Sequence, residues 1–210
     1  MGTRGWIASA AIAVAAVVPA SAGAATFDAT ANGNPFTGGL SFEPREIDVA
    51  LGDTVRWTNT DDFVPHTVTE DHGLFDLSGD YGIPGAMGFG PGESVELRFA
   101  AGSYGYFCDI HPEMVGQVQA PVELKRKGTK RKPRVLARWG AEELPADQVF
   151  DVQRSVDGGG FKTVVDGTRE LSRKFKAKRG KEVAFQARVR LEADPEAASG
   201  YSPASELEVR

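Results

Sequence analysis

Apolar residues in this chain come in short alternating runs, each stopped by glycine or proline, a pattern that suits half-buried antiparallel strands and little else. Ile47, Val49 and Leu51 alternate up to the turn at Gly52-Asp53, and Val55 and Trp57 alternate beyond it. Val95, Leu97 and Phe99 repeat the pattern after Pro91-Gly92. Gly102 then leads into Ser103 to Cys108, rich in the aromatics that favour strands, and Gly116 to Ala120 could return the chain. Further on, Val135, Ala137 and Trp139 alternate, as do Phe150 and Val152, and Val183, Phe185, Ala187, Val189 and Leu191, with a turn signal at Asp157 to Gly160. The expected fold class is all-β: one sandwich of seven or eight short strands followed by a second sandwich. Asp71 to Gly90, glycine-rich and carrying Pro84, Met87 and Phe89, reads as a long irregular loop.

Charge divides the chain in two. From Ala25 to Pro121 there are 3 Lys plus Arg against 15 Asp plus Glu; from Val122 to Arg210 there are 20 against 14. The basic run Lys125 to Arg134, with Gly128 and Pro133 inside it, is the expected junction, a basic linker or first strand over residues 122–134 ahead of a second domain at 135–210. Ahead of both, Arg4 precedes an apolar run from Trp6 to Val18, then Pro19 and small residues to Ala25, the form of a signal peptide over residues 1–24. Cleavage fits Ala22-Gly23-Ala24, and Ala20-Ser21-Ala22 nearly as well. The run is shorter than the roughly 20 apolar residues that span a bilayer. The expected location is therefore extracytoplasmic, which speaks against nucleic acid as a partner.

The stretch Cys108-Asp109-Ile110-His111-Pro112-Glu113-Met114 carries the chain's only cysteine. An unpaired cysteine in an oxidising compartment is a liability unless something occupies it. A thiolate, an imidazole and a thioether on one loop, spaced C-x2-H-x2-M, are ligands that suit copper in a trigonal site with a weak axial sulfur. The missing ligand is a second imidazole. His66, in Pro65-His66-Thr67-Val68, is preferred because it ends an apparent strand; His72, between acids and a glycine, reads as a solvated loop residue, the alternatives being a fourth imidazole or a partner of those acids. The bland alternative makes Cys108 a small buried hydrophobe among ordinary loop residues.

Ligand counting weighs the other metals. A structural zinc site would spend all three histidines and the cysteine, leaving Met114 unexplained. A binuclear centre needs two bridging cysteines, and a multicopper oxidase needs many more histidines. Met87 reads as a gap-filler, and Tyr104, Tyr106 and Phe107 as alternating core and surface positions of a strand. Pro112 restricts the loop backbone, and Gly116 would allow a turn after Met114.

Taken in order, Gly52-Asp53-Thr54-Val55-Arg56-Trp57-Thr58-Asn59, Pro65-His66-Thr67-Val68, Gly102-Ser103-Tyr104-Gly105-Tyr106-Phe107-Cys108, His111-Pro112 and Met114-Val115-Gly116 resemble the cupredoxins, the small blue copper proteins, over roughly residues 40 to 121. Within them the short ligand loop is most similar to amicyanin and plastocyanin-like domains. The resemblance implies a Greek-key sandwich, one copper ion, strong ligands His66, Cys108 and His111, and a weak axial Met114. Thr67 stands where these families commonly have asparagine, so the side-chain tie that asparagine makes between the two ligand segments does not carry over. The second half resembles a fibronectin type III domain, through Trp139, Phe150 to Arg154 with its Asp-Gly-Gly turn, Arg188-Val189-Arg190 and Gly200-Tyr201-Ser202.

Four protein ligands leave no open coordination position, so the expected function is outer-sphere transfer of single electrons, without enzymatic chemistry. By the same resemblance the expected exit is the edge of His111, inside an apolar patch that Pro65, Pro84, Met87, Phe89 and Pro112 could make, docking a redox protein donor and acceptor; the acidic first half favours basic ones. The alternative is an extracellular copper-holding or surface-binding module, in which the basic second domain touches an anionic cell-wall polymer or membrane surface.

Overall fold

A computed structural model describes residues 24–34, 38–78 and 88–210 of the chain. The first 23 residues of the expected signal peptide, and Pro84 and Met87, lie outside these. No helix among the described residues is long and apolar enough to cross a membrane.

Among the described residues the N-terminal sandwich has eight strands: β1 (Thr26–Asn34), β2 (Gly38–Glu43), β3 (Glu46–Asp48), β4 (Thr54–Asn59), β5 (Thr69–Glu70), β6 (Ser94–Arg98), β7 (Gly102–Phe107) and β8 (Val115–Ala120). They form two four-stranded sheets in the orders β2-β1-β4-β6 and β3-β8-β7-β5. β1 runs parallel to β4 and β3 parallel to β8, while the other pairings are antiparallel. The period-two pattern does what it predicts: Val55 and Trp57 of β4 and Tyr104 and Tyr106 of β7 point inward and are buried. Tyr106 sits edge-on between Phe42 and Trp57, with ring centroids 5.0 and 5.4 Å away, and Trp57 Nε1 donates to its hydroxyl at 3.2 Å. Gly116 lies within β8 opposite Tyr106, not in a turn after Met114; a Cβ there would come within 2.3 Å of the Tyr106 ring.

The C-terminal sandwich has seven strands: β9 (Glu123–Thr129), β10 (Lys132–Arg138), β11 (Gln148–Val156), β12 (Lys162–Thr168), β13 (Ser172–Lys176), β14 (Lys181–Leu191) and β15 (Ser205–Val209). Its sheets are ordered β13-β10-β9 and β12-β11-β14-β15. Val135, Ala137 and Trp139 from one sheet meet Val152, Val183, Phe185 and Ala187 from the other, with Phe175 between. The basic stretch is thus regular structure, the β9–β10 hairpin.

The two sandwiches meet at the start of β7. Ala101 N donates to Trp139 O at 2.8 Å, and Ser103 and Gly200 exchange backbone hydrogen bonds of 3.0 and 2.8 Å. Gln148 Nε2 also donates to Leu74 O at 2.6 Å, and the buried apolar residues of both sandwiches form one continuous cluster. Because β7 runs from this joint to Phe107, Cys108 lies at its other end, about 20 Å away at strand rise.

Candidate metal centre

Cys108 follows β7 directly, and the loop it opens is closed by its own backbone. His111 N donates to Cys108 O at 3.1 Å, Met114 N to His111 O at 2.8 Å, and Cys108 N to Met114 O at 3.1 Å. Cys108 and Met114 are buried, while His111 is half-buried. The one thiol is unpaired.

His66 is held differently from the strand end expected of it. β4 stops at Asn59, and His66 stands in an irregular stretch before β5, forming an isolated two-residue bridge with Phe89. The scaffold of that stretch is a buried asparagine. Asn59 occupies the inward register of β4 after Val55 and Trp57, and its Nδ2 donates to Val64 O at 2.8 Å and Phe89 O at 2.9 Å. Phe89 in turn exchanges backbone hydrogen bonds with His66 at 3.1 and 2.8 Å. An inward-facing amide on an otherwise apolar strand face is the signal that could have singled out Asn59 beforehand.

These two supports bring three ligand atoms together. His66 Nδ1 lies 3.8 Å and His111 Nδ1 3.7 Å from Cys108 Sγ, and the ligand atoms of the three residues all fall within 4.8 Å of one another. Bonds of about 2.0 Å to imidazole and 2.3 Å to thiolate, at trigonal angles, place nitrogen about 3.8 Å from sulfur. The donor set and its spacing therefore fit one copper ion, with the buried Met114 thioether on the same loop. His72, by contrast, is half-exposed and sits 3.5 Å from Glu70 Oε1, outside the cluster.

Around the cluster, Thr67 N donates to Cys108 Sγ at 3.3 Å. Thr67 also restores the tie that its difference from asparagine seemed to remove, because its Oγ1 accepts from Asp109 N at 2.8 Å and links the two ligand segments. Behind His66, Nε2 faces Asp61 Oδ2 at 3.6 Å, and both atoms are buried without a hydrogen-bond partner. Burial, and next the charge of His111, hold His66 below the usual imidazole range against the opposing pull of Asp61. Both favour the neutral ring in the metal-free chain. Asp61 Oδ1 is occupied by Phe63 N at 3.2 Å, which aims the second oxygen at the ring. Asp61, in an acidic loop, carried no sequence signal of this role.

The surface around His111 departs from the expected patch. Phe89, whose backbone bridges to His66, is 1% exposed, so it takes no part in that surface. Pro112 is exposed and Pro65 half-buried, and two exposed apolar residues unremarked in the sequence lie on the same two segments: Ile110, 37% exposed, beside His111, and Phe63, 71%, two residues before Pro65.

With this geometry in place, comparison with known proteins is informative. Residues 30–121 match the model of the copper binding proteins of the plastocyanin/azurin family. A chloroplastic plastocyanin of Tetradesmus obliquus is 39% identical over 87 residues, which span 39% of this chain and 59% of that protein. Plastocyanin of Scenedesmus fuscus is 35% identical over 78 residues, covering 36% of this chain and 79% of that one. Amicyanin of Paracoccus denitrificans is 35% identical over 80 residues, covering 38% and 57%. The chain thus spans only a little over half the length of the Tetradesmus plastocyanin and of the amicyanin. The family match falls on the sandwich that holds the cysteine, and through it and these relatives the chain belongs to the copper-binding plastocyanin/azurin family.

Proposed function

We propose that the chain is an extracytoplasmic type 1 copper protein that carries single electrons, with His66, Cys108 and His111 as strong ligands and Met114 as the weak axial one. The observation that carries this reading is the convergence of one sulfur and two ring nitrogens at trigonal spacing. Bound copper would supply a one-electron couple. The protein's part is to hold the donors still: two rigid supports, the Asn59-braced stretch and the self-closed loop after β7, limit rearrangement between oxidation states. Cys108 and Met114 exclude water from within, and half-buried His111 is the route outward, through a small apolar rim of Phe63, Ile110 and Pro112. That rim is of a size for transient docking of a redox protein, and the acids of this half favour a basic one. A half-buried ligand edge also favours a carrier over a copper store, which would enclose its metal. In the same reading, residues 1–24 are a leader, residues 25–121 the copper domain, and residues 135–210, preceded by the basic stretch 122–134, a fibronectin type III-like domain.

The test is addition of Cu(II) to the purified metal-free chain, followed by voltammetry. An intense blue thiolate-to-copper charge-transfer colour, with a reversible wave and fast self-exchange, is the expected result. A colourless complex, or very tight Cu(I) retention with sluggish exchange, would overturn the carrier reading.

A further inference from the structure

The C-terminal sandwich carries an arrangement that its own fold does not need. In the sheet β13-β10-β9, residues in direct register share a face, and Val135, Ala137 and Trp139 take the inner one. The outer face is therefore read across the strands as rows. Nearest the joint is Glu123–Arg138–Ser172, then Lys125–Leu136–Lys174, then Lys127–Arg134–Lys176, and last Thr129 beside Lys132. Strands lie about 4.8 Å apart, so Lys127, Arg134 and Lys176 stand as three cations side by side. Like charges directly opposite destabilise a sheet. The acid is all at one end: Glu123 pairs with Lys125 at 2.6 Å and with Arg138 at 3.4 Å. Among the described residues, Lys127, Lys132, Arg134, Lys174 and Lys176 form no ion pair. The hairpin tip adds exposed Lys130 and Arg131.

We propose that this three-stranded face is a docking surface for an anionic lipid bilayer, held by headgroup phosphates. Three features select that occupant. The face is an open sheet with no groove walls, so it suits a plane of charge better than a single linear polymer. Its one apolar side chain, Leu136, is half-buried, which leaves no exposed anchor of the kind protein interfaces centre on. The chain's own acidic half is fixed at the joint by the Ala101–Trp139 and Ser103–Gly200 bonds, next to the row that already contains Glu123, and does not cover the cations further along. Because the joint is at the opposite end of β7 from Cys108, docking by this face leaves the His111 rim uncovered. The proposal does not depend on copper.

The full metal-free chain should cosediment with phosphatidylcholine vesicles containing phosphatidylglycerol, not with phosphatidylcholine alone, and should be released by salt. At about fivefold per cation near such a surface, K127Q/K174Q/K176Q should weaken binding about 100-fold, while K127R/K174R/K176R keeps it. All three lysines are exposed, so circular dichroism and melting of both variants should match the parent. Equal binding to neutral vesicles, or a glutamine variant that binds like the parent, would overturn the proposal. So would tighter capture by soluble polyphosphate at equal phosphate, which would point to a polymer, or salt-sensitive dimerisation without vesicles, which would point to a second copy.

Discussion

Both halves of this chain solve the same architectural problem with two facing sheets, yet they place their polar residues on opposite sides of it. The N-terminal sandwich turns polar groups inward at one end: Asn59, Asp61, His66 and Cys108 are all buried near where β4 and β7 stop. The C-terminal sandwich lines the space between its sheets with apolar residues, Arg154 over the Phe185 ring being the exception, and its buried acid, Asp151, sits opposite Arg188 in register and also accepts from Arg190 and Gly167 N. Of the buried side-chain nitrogens and oxygens there, only Arg154 Nε lacks a hydrogen-bond partner. In the N-terminal half the orphans are Asp61 Oδ2, His66 Nε2 and Glu70 Oε1, and two of the three flank the ligand cluster. Among the described residues, buried side-chain atoms without a partner thus gather around the candidate metal centre in one half, while the other half leaves only Arg154 Nε and carries its unpaired charge on an open face.

The comparison breaks most completely at Cys108. Replacement by serine in Cys108→Ser should abolish the blue colour entirely while leaving the melting of the metal-free protein near the parent value, since the thiol is one small buried group; retention of colour would remove the distinction between the halves. Trp139→Ala probes whether the halves are independent. It opens a cavity in the C-terminal core and should cost about 3–5 kcal/mol. Because Trp139 O also receives Ala101 N, chemical unfolding followed by copper colour and by circular dichroism should shift together; a colour transition left in place would show the sandwiches to be uncoupled.

Asp61→Asn sharpens the contrast at the site. Removing a negative charge facing a ligand ring disfavours the cupric state more than the cuprous, so the reduction potential should rise and Cu(II) affinity fall about 10-fold. An unchanged potential would make Asp61 a bystander. Acid should then separate the halves by pH. His66 is held neutral in the metal-free fold while the unfolded chain binds a proton below about pH 6.5, so stability is full above that value and declines as pH falls toward the lowered folded value. For Asp151, burial alone would raise the carboxyl, but the Gly167 N–H, the Arg188 hydrogen bond and the charges of Arg190 and Arg188 outweigh it and lower it. Its contribution persists above about pH 3.9 and is lost only as pH falls through the depressed value. Melting of the metal-free chain should therefore weaken as pH falls below about 6.5; a flat profile there contradicts the buried, neutral His66. The smallest effect is expected of Thr67→Val, which unmakes the Asp109 tie and should cost about 1 kcal/mol with slight broadening of the colour band.

How far these features could be read from the sequence follows from their range. Strand alternation is local, so Val55, Trp57, Tyr104 and Tyr106 declared their faces, and the all-β class with them. The Cys108 to Met114 loop is also local, and its spacing was legible. His66 was found by type but misplaced, because its backbone is set by a side chain seven residues back and a bridge to Phe89. The same bridge buried Phe89, which its aromatic, loop-bound setting had assigned to the surface. Gly116 was credited with turning the chain, when its work is to admit a ring from the neighbouring strand. Lys125 to Arg134 looked like a junction, a linker or a first strand, because the charge changes sign there and Gly128 and Pro133 interrupt it; pairing to β13 and the core under Val135 draw it into a hairpin.

The account rests on one sulfur and two nitrogens binding a single ion, and X-ray absorption at the copper edge of the Cu(II)-loaded chain tests it most directly. The account predicts one copper per chain with one short sulfur and two imidazole nitrogens in its inner shell, the sulfur absent in Cys108→Ser. A shell of oxygen and nitrogen alone, or an unaltered spectrum without Cys108, would contradict it.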